Sequence, residues 1–352
     1  MGSLDDAAFV LRHDPKGMYG LTVAYPEQIR EAVEIGRGVP LRLERKPNLA
    51  LLTGLGGSAA GGDFVRALFE AHGDIPFFVN RDYHLPHYVG KDSLVFAVSY
   101  SGNTEETLSA YAQAKEAGAQ IVVVTSGGKL AEWGETDGFP VVRIPGGQPP
   151  RTALGYNLMP VVVACEVFGL LPTQDYGALV ELLQSCAAEW CVETAYDGNE
   201  AKRLAFALHG RLSVLYGLGQ WQGLVANRWK GQINENAKNM TFANTYPELC
   251  HNEILGWVLA DRQGVAEWVG IVLEDGTESA KMKARERVTA GLVRGLCTFH
   301  RAKARGGPLI ERMLSLAYLG DFVSLYLAAL NEVDPENIDS INTLKTELAQ
   351  VP

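Results

Sequence analysis

The chain has 352 residues, a length that predicts two domains at about 150 residues per domain. Hydrophobic residues make up 47% of the chain, which excludes a mainly disordered protein, and the net charge of −10 without a run of basic residues argues against nucleic-acid binding. The sequence shows no apolar stretch near the roughly 18 residues of a membrane span, no secretory signal and no CxxC pair, so we expect a cytoplasmic protein that binds neither a membrane nor a structural metal.

Alternating strand and helix patterns dominate the first part of the chain. An apolar run at 49–52 ends in a glycine-rich turn, and a helical pattern with a period of about 3.6 residues follows it. Further strands are predicted at 75–79, 93–99, 119–125 and 140–144, with a capped helix at 101–118. The unbroken apolar character of the strand at 93–99 is typical of a strand buried on both faces. This alternation predicts a parallel, doubly wound sheet.

A proline- and glycine-rich segment at 145–150 breaks the alternation. The elements predicted beyond it are helices at 152–170, 177–194, 279–296, 309–330 and 340–348 and strands at 212–216 and 265–273. The strand at 212–216 is followed by Gly-Leu-Gly, as is the first strand of the chain, which indicates two related α/β subdomains, although any two strand–helix turns can use glycine. We therefore predict subdomains at 1–155 and 156–352, while the helices at 152–194 could pack on either half.

The glycine-rich turn is the first candidate site. Backbone N–H groups of such a turn can approach a phosphate at the N-terminus of the following helix, whose dipole favours anions. Gly54, Gly56 and Ala59 loosely satisfy the dinucleotide-binding fingerprint. The acid that this fingerprint needs about 20 residues later is missing from that position, because Asp82 lies 28 residues after Gly54. A structural turn, NAD binding and binding of another phosphate ligand therefore stay open.

Hydroxyl side chains cluster in the second candidate site, where the buried strand at 93–99 ends and a helix begins. Ser99, Ser101 and Thr104 can point toward one anion, with the free N–H groups of the helix behind them. A helix cap formed by Asn103 with Glu106 three residues later would explain part of the pattern, and both interpretations can hold together. Ligands bind at the carboxyl ends of the strands in open α/β sheets, so this stretch predicts a phosphate site.

The third candidate site combines carboxylates, amides and a histidine at 234–239 and 247–253. A surface loop would explain its polarity. A glutamate between two asparagines, with a histidine downstream, also fits a general base and a proton shuttle. The pattern by itself leaves both interpretations open.

Together these stretches resemble the bifunctional phosphoglucose/phosphomannose isomerases, a family of the sugar isomerase (SIS) domain group. The family's patterns GGSGIGGD, SYSGNTEET, NENAK and PELxHNEIxGW correspond to residues 56–63, 99–107, 234–238 and 247–257. Further matches lie at 149–156, 320–324 and 344–345, so the resemblance covers nearly the whole chain. It implies an α/β fold of two SIS-like subdomains, each a mostly parallel, flavodoxin-like sheet flanked by helices.

The resemblance also implies an activity and a set of site residues. The activity is the reversible isomerisation of glucose 6-phosphate and mannose 6-phosphate to fructose 6-phosphate through a cis-enediol, without a metal, nucleotide or other cofactor. Glu235 would move the proton between C1 and C2, and His251 would assist ring opening across the interface of a homodimer. Arg151 would stabilise the enediolate, and Lys345 would act near the ring oxygen. The residues implied to hold the substrate phosphate are Gly57, Ser58, Ser99, Ser101 and Thr104.

Two positions depart from the family's pattern. Ala59-Ala60 replaces Gly-Ile, and the Cβ of Ala59 could restrict the approach of a phosphate. Cys250 replaces an asparagine and could change the hydrogen bonds of His251. Two alternative functions share the fold: a non-catalytic sugar-phosphate-binding protein, which would lack the base, and an amino-sugar phosphate isomerase, which would need an amine-binding feature.

Overall fold

The computed structural model describes residues 2–265, 267–348 and 350. The strands are β1 (Leu49–Thr53), β2 (Phe77–Asn80), β3 (Ser93–Ser99), β4 (Gln120–Thr125), β5 (Val141–Arg143), β6 (Ser213–Gly217), β7 (Thr241–Thr245), β8 (Trp268–Glu274) and β9 (Cys297–Lys303). The α-helices are α1 (Ala7–Arg12), α2 (Met18–Val23), α3 (Tyr25–Gly38), α4 (Gly56–His72), α5 (Glu105–Glu116), α6 (Gly128–Thr136), α7 (Leu154–Val167), α8 (Tyr176–Trp190), α9 (Glu200–Leu208), α10 (Gln220–Ala237), α11 (Glu253–Gly256), α12 (Ala280–Leu292), α13 (Leu309–Leu330) and α14 (Asp339–Leu348). Short 3-10 helices lie at Gly2–Asp5, Pro150–Thr152, Tyr196–Gly198, Glu248–His251 and Trp257–Gln263.

The chain forms two compact units, a first unit of residues 24–183 and a second unit of residues 1–23 and 184–352. The first unit contains a five-stranded sheet in the order β2-β1-β3-β4-β5, and the second contains a four-stranded sheet in the order β7-β6-β8-β9. All neighbouring strands in both sheets are parallel. The predicted α/β class with two parallel sheets is therefore confirmed.

The first sheet is buried because helices cover both of its faces. Every residue of β1, β3 and β4 is buried, as expected for unbroken apolar strands in a parallel sheet. The connections through α4 and through α5 run in opposite directions along the sheet. Because such crossovers are right-handed, α4 and α5 lie on opposite faces. Their N-termini nevertheless meet the sheet at neighbouring strands, β1 and β3.

The second sheet repeats the strand order of the first four strands of the first sheet, as the repeated Gly-Leu-Gly turn indicates. Helix α10 packs on β6, β7 and β8 of this sheet, and α10 is in turn covered by α13, which also contacts α1, α2 and α9. Helix α13 is 22 residues long and apolar enough to cross a membrane by length and composition, which corrects the expectation that no apolar stretch approaches that length. Its most apolar window is 100% buried, as in the core helix of a globular unit.

The division into units differs from the predicted boundary at 155/156. That position falls inside α7, which is one continuous helix that packs on α3 and α4 of the first unit. The N-terminal helices α1 and α2 contact α13 and belong with the second unit. The packing of helices against each other decides that α7 belongs to the first unit and that α1 and α2 belong to the second. The sequence pattern of a helix shows which of its faces is apolar, but not which other helix that face contacts.

Two strands, β7 and β9, are absent from the elements predicted above. Both are edge strands of the second sheet. In β9, with the sequence CTFHRAK, exposed and buried positions are mixed, and β7 has a single buried residue. A strand that is half-exposed at a sheet edge lacks the continuous apolar run by which the central strands are predicted.

Helices α10 and α13 approach closely at Gly320. A Cβ at this position would lie 2.2 Å from Nε1 of Trp229. The same indole nitrogen donates a hydrogen bond of 2.8 Å to the carbonyl oxygen of Leu316. Only glycine leaves room for a buried indole that is fixed in this way.

We expect Gly320→Ala to lower the free energy of unfolding by about 1–3 kcal/mol, because the added methyl overpacks the α10–α13 contact. The measurement is urea unfolding followed by circular dichroism. Gly291→Ala on α12 is the matched control, since a Cβ there has no atom within 4 Å. Helix propensity predicts that this control is neutral or stabilising by up to about 1 kcal/mol. Equal destabilisation by both substitutions would contradict the steric argument.

Candidate active site

The candidate phosphate site lies at the carboxyl edge of the first sheet, between β1 and β3. The chain leaves β1 toward β2 on one side and leaves β3 toward β4 on the other, so the strand order reverses at this point. Such a reversal opens a crevice where open α/β sheets bind ligands. Gly57 and Ser58 follow β1, while Ser101 and Thr104 follow β3. The structure thus places the predicted phosphate-binding residues around one crevice.

Hydrogen bonds tie the two strand ends together. The Oγ of Ser58 accepts the backbone N–H of Tyr100 at 3.2 Å. The hydroxyl groups of Ser99 and Thr104 are 2.9 Å apart, and the Oγ of Ser99 also accepts the N–H of Gly102 at 3.1 Å. Ser99 is buried, Thr104 is half-buried and Ser101 is exposed. The hydroxyl groups therefore range from that of Ser99, which is buried and held by hydrogen bonds, to that of Ser101, which faces solvent.

The helices that begin at this crevice lack side-chain caps. Neither Leu55 before α4 nor Thr104 before α5 forms a side-chain cap hydrogen bond among the described residues. Backbone N–H groups in the first turn of a helix need an external acceptor when no side chain supplies one. An anion in the crevice would meet the positive ends of two helix dipoles.

The predicted cap by Asn103 is wrong. Thr104 occupies the N-cap position of α5. The Oδ1 of Asn103 instead accepts the backbone N–H of Lys129, at 3.1 Å, and its Nδ2 donates to the carbonyl oxygen of Ser101. Asn103 therefore ties the loop after β3 to the start of α6, and it leaves the N-terminus of α5 uncapped.

Arg151 reaches the same edge through the segment 145–152. A Cβ at Gly57 would lie 2.6 Å from the carbonyl oxygen of Pro150, so glycine allows this segment to pack directly on the turn after β1. Arg151 is buried in the 3-10 helix that follows. Arg151 is far from the hydroxyl groups in sequence. The packing of Pro150 and Arg151 on Gly57 brings its backbone to the turn after β1.

Gln148 is a polar residue at this edge that the sequence analysis missed. Its backbone N–H donates to the phenolic oxygen of Tyr100 at 3.3 Å. Its amide nitrogen Nε2 is buried and has no hydrogen-bond partner among the described residues. A buried amide donor without a partner is costly, so a ligand that accepts from it would be stabilised. It was missed because it stands in a proline- and glycine-rich segment that indicates only a chain break.

Ala59, which replaces the glycine of the family's pattern, lies in the first turns of α4. Ala59 is fully buried, so its methyl group packs inside the unit. Arg81, at the end of β2, pairs with Asp63 on α4 and lies 3.5 Å from the carbonyl oxygen of Ala59. Burial raises the pKa of Asp63, while the charge of Arg81 opposes that rise. Asp63 therefore anchors Arg81 beside the turn, which gives it a structural role.

Glu235 lies in the last turn of α10 in the second unit, and its neighbours fix its backbone on several sides. The Oδ1 of Asn234 accepts the N–H of Thr241 on β7, and the Nδ2 of Asn236 donates to the Oγ of Ser324 on α13. The Nζ of Lys238 donates to the carbonyl oxygen of Glu235 at 2.8 Å. The two asparagines that flank Glu235 thus connect its helix to a strand on one side and to a helix on the other.

Asn234 and Asn236 form an asparagine clamp around Glu235. A buried ladder of hydrogen bonds between α10 and α13 extends it, with Arg228 and Gln232 on α10 and Asp321 and Ser324 on α13. Arg228 donates to both carboxylate oxygens of Asp321 at 2.9 Å, and Gln232 donates to the same carboxylate at 2.6 Å. Ser324 closes the ladder by donating to the carbonyl oxygen of Asp321. Burial raises the pKa of Asp321, and the guanidinium of Arg228 opposes that rise. The only signal in the sequence is that polar residues recur every four positions along α10, at 228, 232 and 236. Their hydrogen-bond partners on α13 are not evident until the two helices are packed together.

His251 lies on the opposite face of the second sheet from Glu235. The connection that carries α10 and the one that carries His251 run in opposite directions along the sheet, so right-handed crossovers place them on opposite faces. Cys250 agrees with this placement, since its Sγ lies 3.9 Å from the Oγ1 of Thr289 on α12. It faces α12 and not His251. His251 itself is exposed, and Lys345 is exposed on α14.

The equivalent strand-order reversal in the second unit, between β6 and β8, is already filled by protein groups. The carboxylate of Glu278 accepts the backbone N–H groups of Asp275 and Gly276 at 2.6 and 3.0 Å. Asp275 in turn pairs with Arg312. Burial acts to raise the pKa of Asp275, but hydrogen bonds from Thr277 and the charge of Arg312 leave that pKa below its usual range. The loop donors that could meet an anion here are thus bound to a carboxylate of the same chain.

Comparisons with known proteins match one family to each of the two units. The family described as "SIS domain" matches residues 45–131, and the family described as "Bacterial phospho-glucose isomerase C-terminal SIS domain" matches residues 197–348. A solved structure of a hypothetical protein from Thermus thermophilus has a TM-score of 0.74 and 17% identity, covering 100% of this chain and 95% of that one. At this identity the likeness concerns the fold alone.

Two curated relatives are similar over most of the chain. A bifunctional phosphoglucose/phosphomannose isomerase of Caldicellulosiruptor bescii is 42% identical over 93% of this chain and 97% of its own length. The protein of that name from Thermoplasma acidophilum is 34% identical over 85% of this chain and 89% of its own length. The chain belongs to the bifunctional phosphoglucose/phosphomannose isomerase family.

Proposed function

We propose that this protein is a phosphosugar isomerase that converts glucose 6-phosphate and mannose 6-phosphate reversibly to fructose 6-phosphate. The observation that carries the proposal is the hydroxyl-lined crevice between β1 and β3, in a chain 42% identical to a phosphoglucose/phosphomannose isomerase. The two aldose phosphates differ only at C2. Both give the same enediol when the C2 proton is removed, so one base serves both substrates.

The crevice of the first unit supplies the binding energy for the phosphate. The backbone at Gly57 and the hydroxyl groups of Ser58, Ser99, Ser101 and Thr104 offer neutral donors, and two uncapped helix N-termini add their dipoles. A phosphate held far from C1 and C2 orients the sugar without taking part in the proton transfer. Arg151 then supplies positive charge for the oxyanion of the enediolate.

Glu235 acts as the base that moves the proton between C1 and C2. Removing a proton from a carbon next to a carbonyl group requires a carboxylate held in position and a cation near the developing oxyanion. The asparagine clamp and the buried ladder on α10 support this role, because they hold the helix turn of Glu235 rigid. Lys345 acts near the ring oxygen during ring opening.

We infer that His251 assists ring opening in the active site of a partner subunit. Within one chain, Glu235 and His251 lie on opposite faces of the second sheet, and the sheet with its side chains separates groups placed in that way by roughly 10 Å or more. A second copy of the chain can bring its own His251 to Glu235. The proposal therefore includes a homodimer with its active site near the interface.

A non-catalytic sugar-phosphate-binding protein is the alternative from another class. It would need the crevice alone and would not require the rigid setting of Glu235. An amino-sugar phosphate isomerase would use the same base and would also need a feature that binds the amine of its substrate. Assays with glucose 6-phosphate, mannose 6-phosphate and glucosamine 6-phosphate in parallel separate these functions.

We expect Glu235→Gln to lower kcat for both hexose phosphates by at least about 10²-fold, because the amide cannot accept the C2 proton. The measurement is the release of fructose 6-phosphate, with EDTA present throughout. Glu116→Gln, at an exposed position of α5, is the control and should keep full activity. An active Glu235→Gln protein would contradict the assignment of the base. A wild-type protein that is inert but melts at a higher temperature with fructose 6-phosphate would support the binding-protein alternative.

We expect Thr104→Val to weaken binding of inorganic phosphate and to raise KM for both substrates by about fivefold to tenfold, as for the loss of one hydrogen bond. The shape of the side chain is kept, but the buried Ser99 hydroxyl loses its partner 2.9 Å away, so we also expect the free energy of unfolding to fall by about 1–3 kcal/mol. Titration calorimetry and initial rates measure the two effects. Thr136→Val, at the exposed end of α6, serves as the control. Unchanged phosphate affinity in Thr104→Val would remove the hydroxyl cluster from the substrate site.

A mixing experiment tests the role of His251 across the interface. Glu235→Gln and His251→Ala proteins should each be nearly inactive alone. Unfolded together and refolded, they should recover about a quarter of wild-type activity, since half of the dimers are hybrids with one intact site each. If His251 acted within its own chain, every site in a hybrid would lack one group, and no activity would return.

A further inference from the structure

A second cavity, of about 450 Å³, lies on the second unit between α9 and β9. None of its wall residues belongs to the candidate active site. The residues that matter for its chemistry are Tyr196, Glu200, Arg203, Phe206, Arg211 and His300. Its size is typical of a pocket for a small molecule.

Two arginines of this cavity form no ion pair among the described residues, although the charge of Arg203 acts on Glu200 and opposes the rise that burial causes in the pKa of that carboxyl. Arg203 donates to the backbone carbonyl oxygens of Asp197 and Tyr196 and forms no ion pair. Arg211 is exposed, and its guanidinium forms no ion pair with any described carboxylate. Burial lowers the pKa of the neighbouring His300, and the positive charge of Arg211 lowers it further. The guanidinium groups of Arg203 and Arg211 thus face the cavity without a described carboxylate in contact.

The other charged groups around the cavity are already paired. Arg301 binds Glu274 at 2.6 Å and Glu286 at 2.7 Å. Glu200, the acid in the cavity wall, lies 3.9 Å from Arg305. Arg301 is shared by two carboxylates, and Arg305 is shared by Glu189 and Glu200, so the formal charges around the cavity balance. Arg203 and Arg211 are the two guanidinium groups here that no described carboxylate contacts, and they are the donors that an incoming anion would meet.

An aromatic pair forms an apolar part of the wall. The rings of Tyr196 and Phe206 pack edge to face, with centroids 5.9 Å apart and an angle of 84° between the planes. Phe206 is 36% exposed, so part of its ring is available to a ligand. The cavity therefore combines cationic donors with an aromatic surface.

We propose that this cavity binds a small organic phosphate, with the phosphate at Arg203 and Arg211 and the organic part against Tyr196 and Phe206. Guanidinium groups bind phosphate oxygens through paired, charge-assisted hydrogen bonds. His300 adds a further nitrogen for a phosphate or hydroxyl oxygen. The site is separate from the proposed isomerase activity and does not depend on it.

Titration calorimetry of the full chain with inorganic phosphate and with AMP tests the proposal. Arg211→Ala should weaken one class of phosphate sites by at least about tenfold, as for the loss of a charge-assisted hydrogen bond. Arg294→Ala removes an equally exposed arginine outside the cavity, so it should leave phosphate binding unchanged. Because the crevice between β1 and β3 is intact in both variants, a loss that occurs only with Arg211→Ala belongs to this cavity. Identical binding by the two variants would overturn the proposal.

The organic part has its own test. AMP, with a planar base that can contact the aromatic pair, should bind the cavity more tightly than inorganic phosphate does. Phe206→Leu should remove that advantage while it leaves the affinity for inorganic phosphate unchanged. Equal affinities of AMP and inorganic phosphate in the wild-type chain would overturn the assignment of the aromatic wall.

Discussion

The right-handedness of strand–helix–strand crossovers is the constraint on which the rest of the structure depends. It places α4 and α5 on opposite faces of the first sheet and brings their N-termini to the neighbouring ends of β1 and β3. The N-terminal N–H groups of both helices and the hydroxyl groups of both turns therefore face one crevice. In the proposed function, neutral donors and helix dipoles hold the phosphate there, and the guanidinium of Arg151 serves the oxyanion. The proposed division between binding and chemistry follows from this geometry.

The second unit has the same strand topology as the first but, among its described residues, lacks an open anion site at its reversal of strand order. Its strands follow the equivalent order, and the turn after β6 repeats the glycine pattern of the turn after β1. In its β8–α12 loop, however, the carboxylate of Glu278 accepts hydrogen bonds from the backbone N–H groups that could otherwise bind an anion. Asp275 of the same loop forms an ion pair with Arg312. A carboxylate held there by the chain itself repels a phosphate. The reversal of strand order creates a potential site, and the charge of the loop residues decides whether an anion can use it.

The second unit instead provides a rigid position for Glu235. In the buried Arg228–Asp321 pair one guanidinium nitrogen contacts both carboxylate oxygens, and Gln232 is a further donor to the carboxylate. Leaving either charge without its partner in such an environment typically costs about 3–5 kcal/mol, so the pair resists any shift of α10 along α13. The asparagines on each side of Glu235 extend this restraint to its own helix turn. A base held in this way needs little rearrangement when substrate binds.

The sequence by itself determined the α/β class, the central strands and the residues at the carboxyl ends of those strands, because apolar runs and glycine turns are local patterns with direct structural consequences. It also predicted α13 within its observed bounds. Tertiary structure alone decided the edge strands β7 and β9, whose half-polar sequences become strands only through pairing with β6 and β8. It also decided the unit to which α7 belongs, the bond from Asn103 to α6 in place of a helix cap, and the packing of the segment 145–152 against Gly57 and Tyr100. These features arise from contacts between residues far apart in the chain, and no local pattern records which distant surface a side chain will meet.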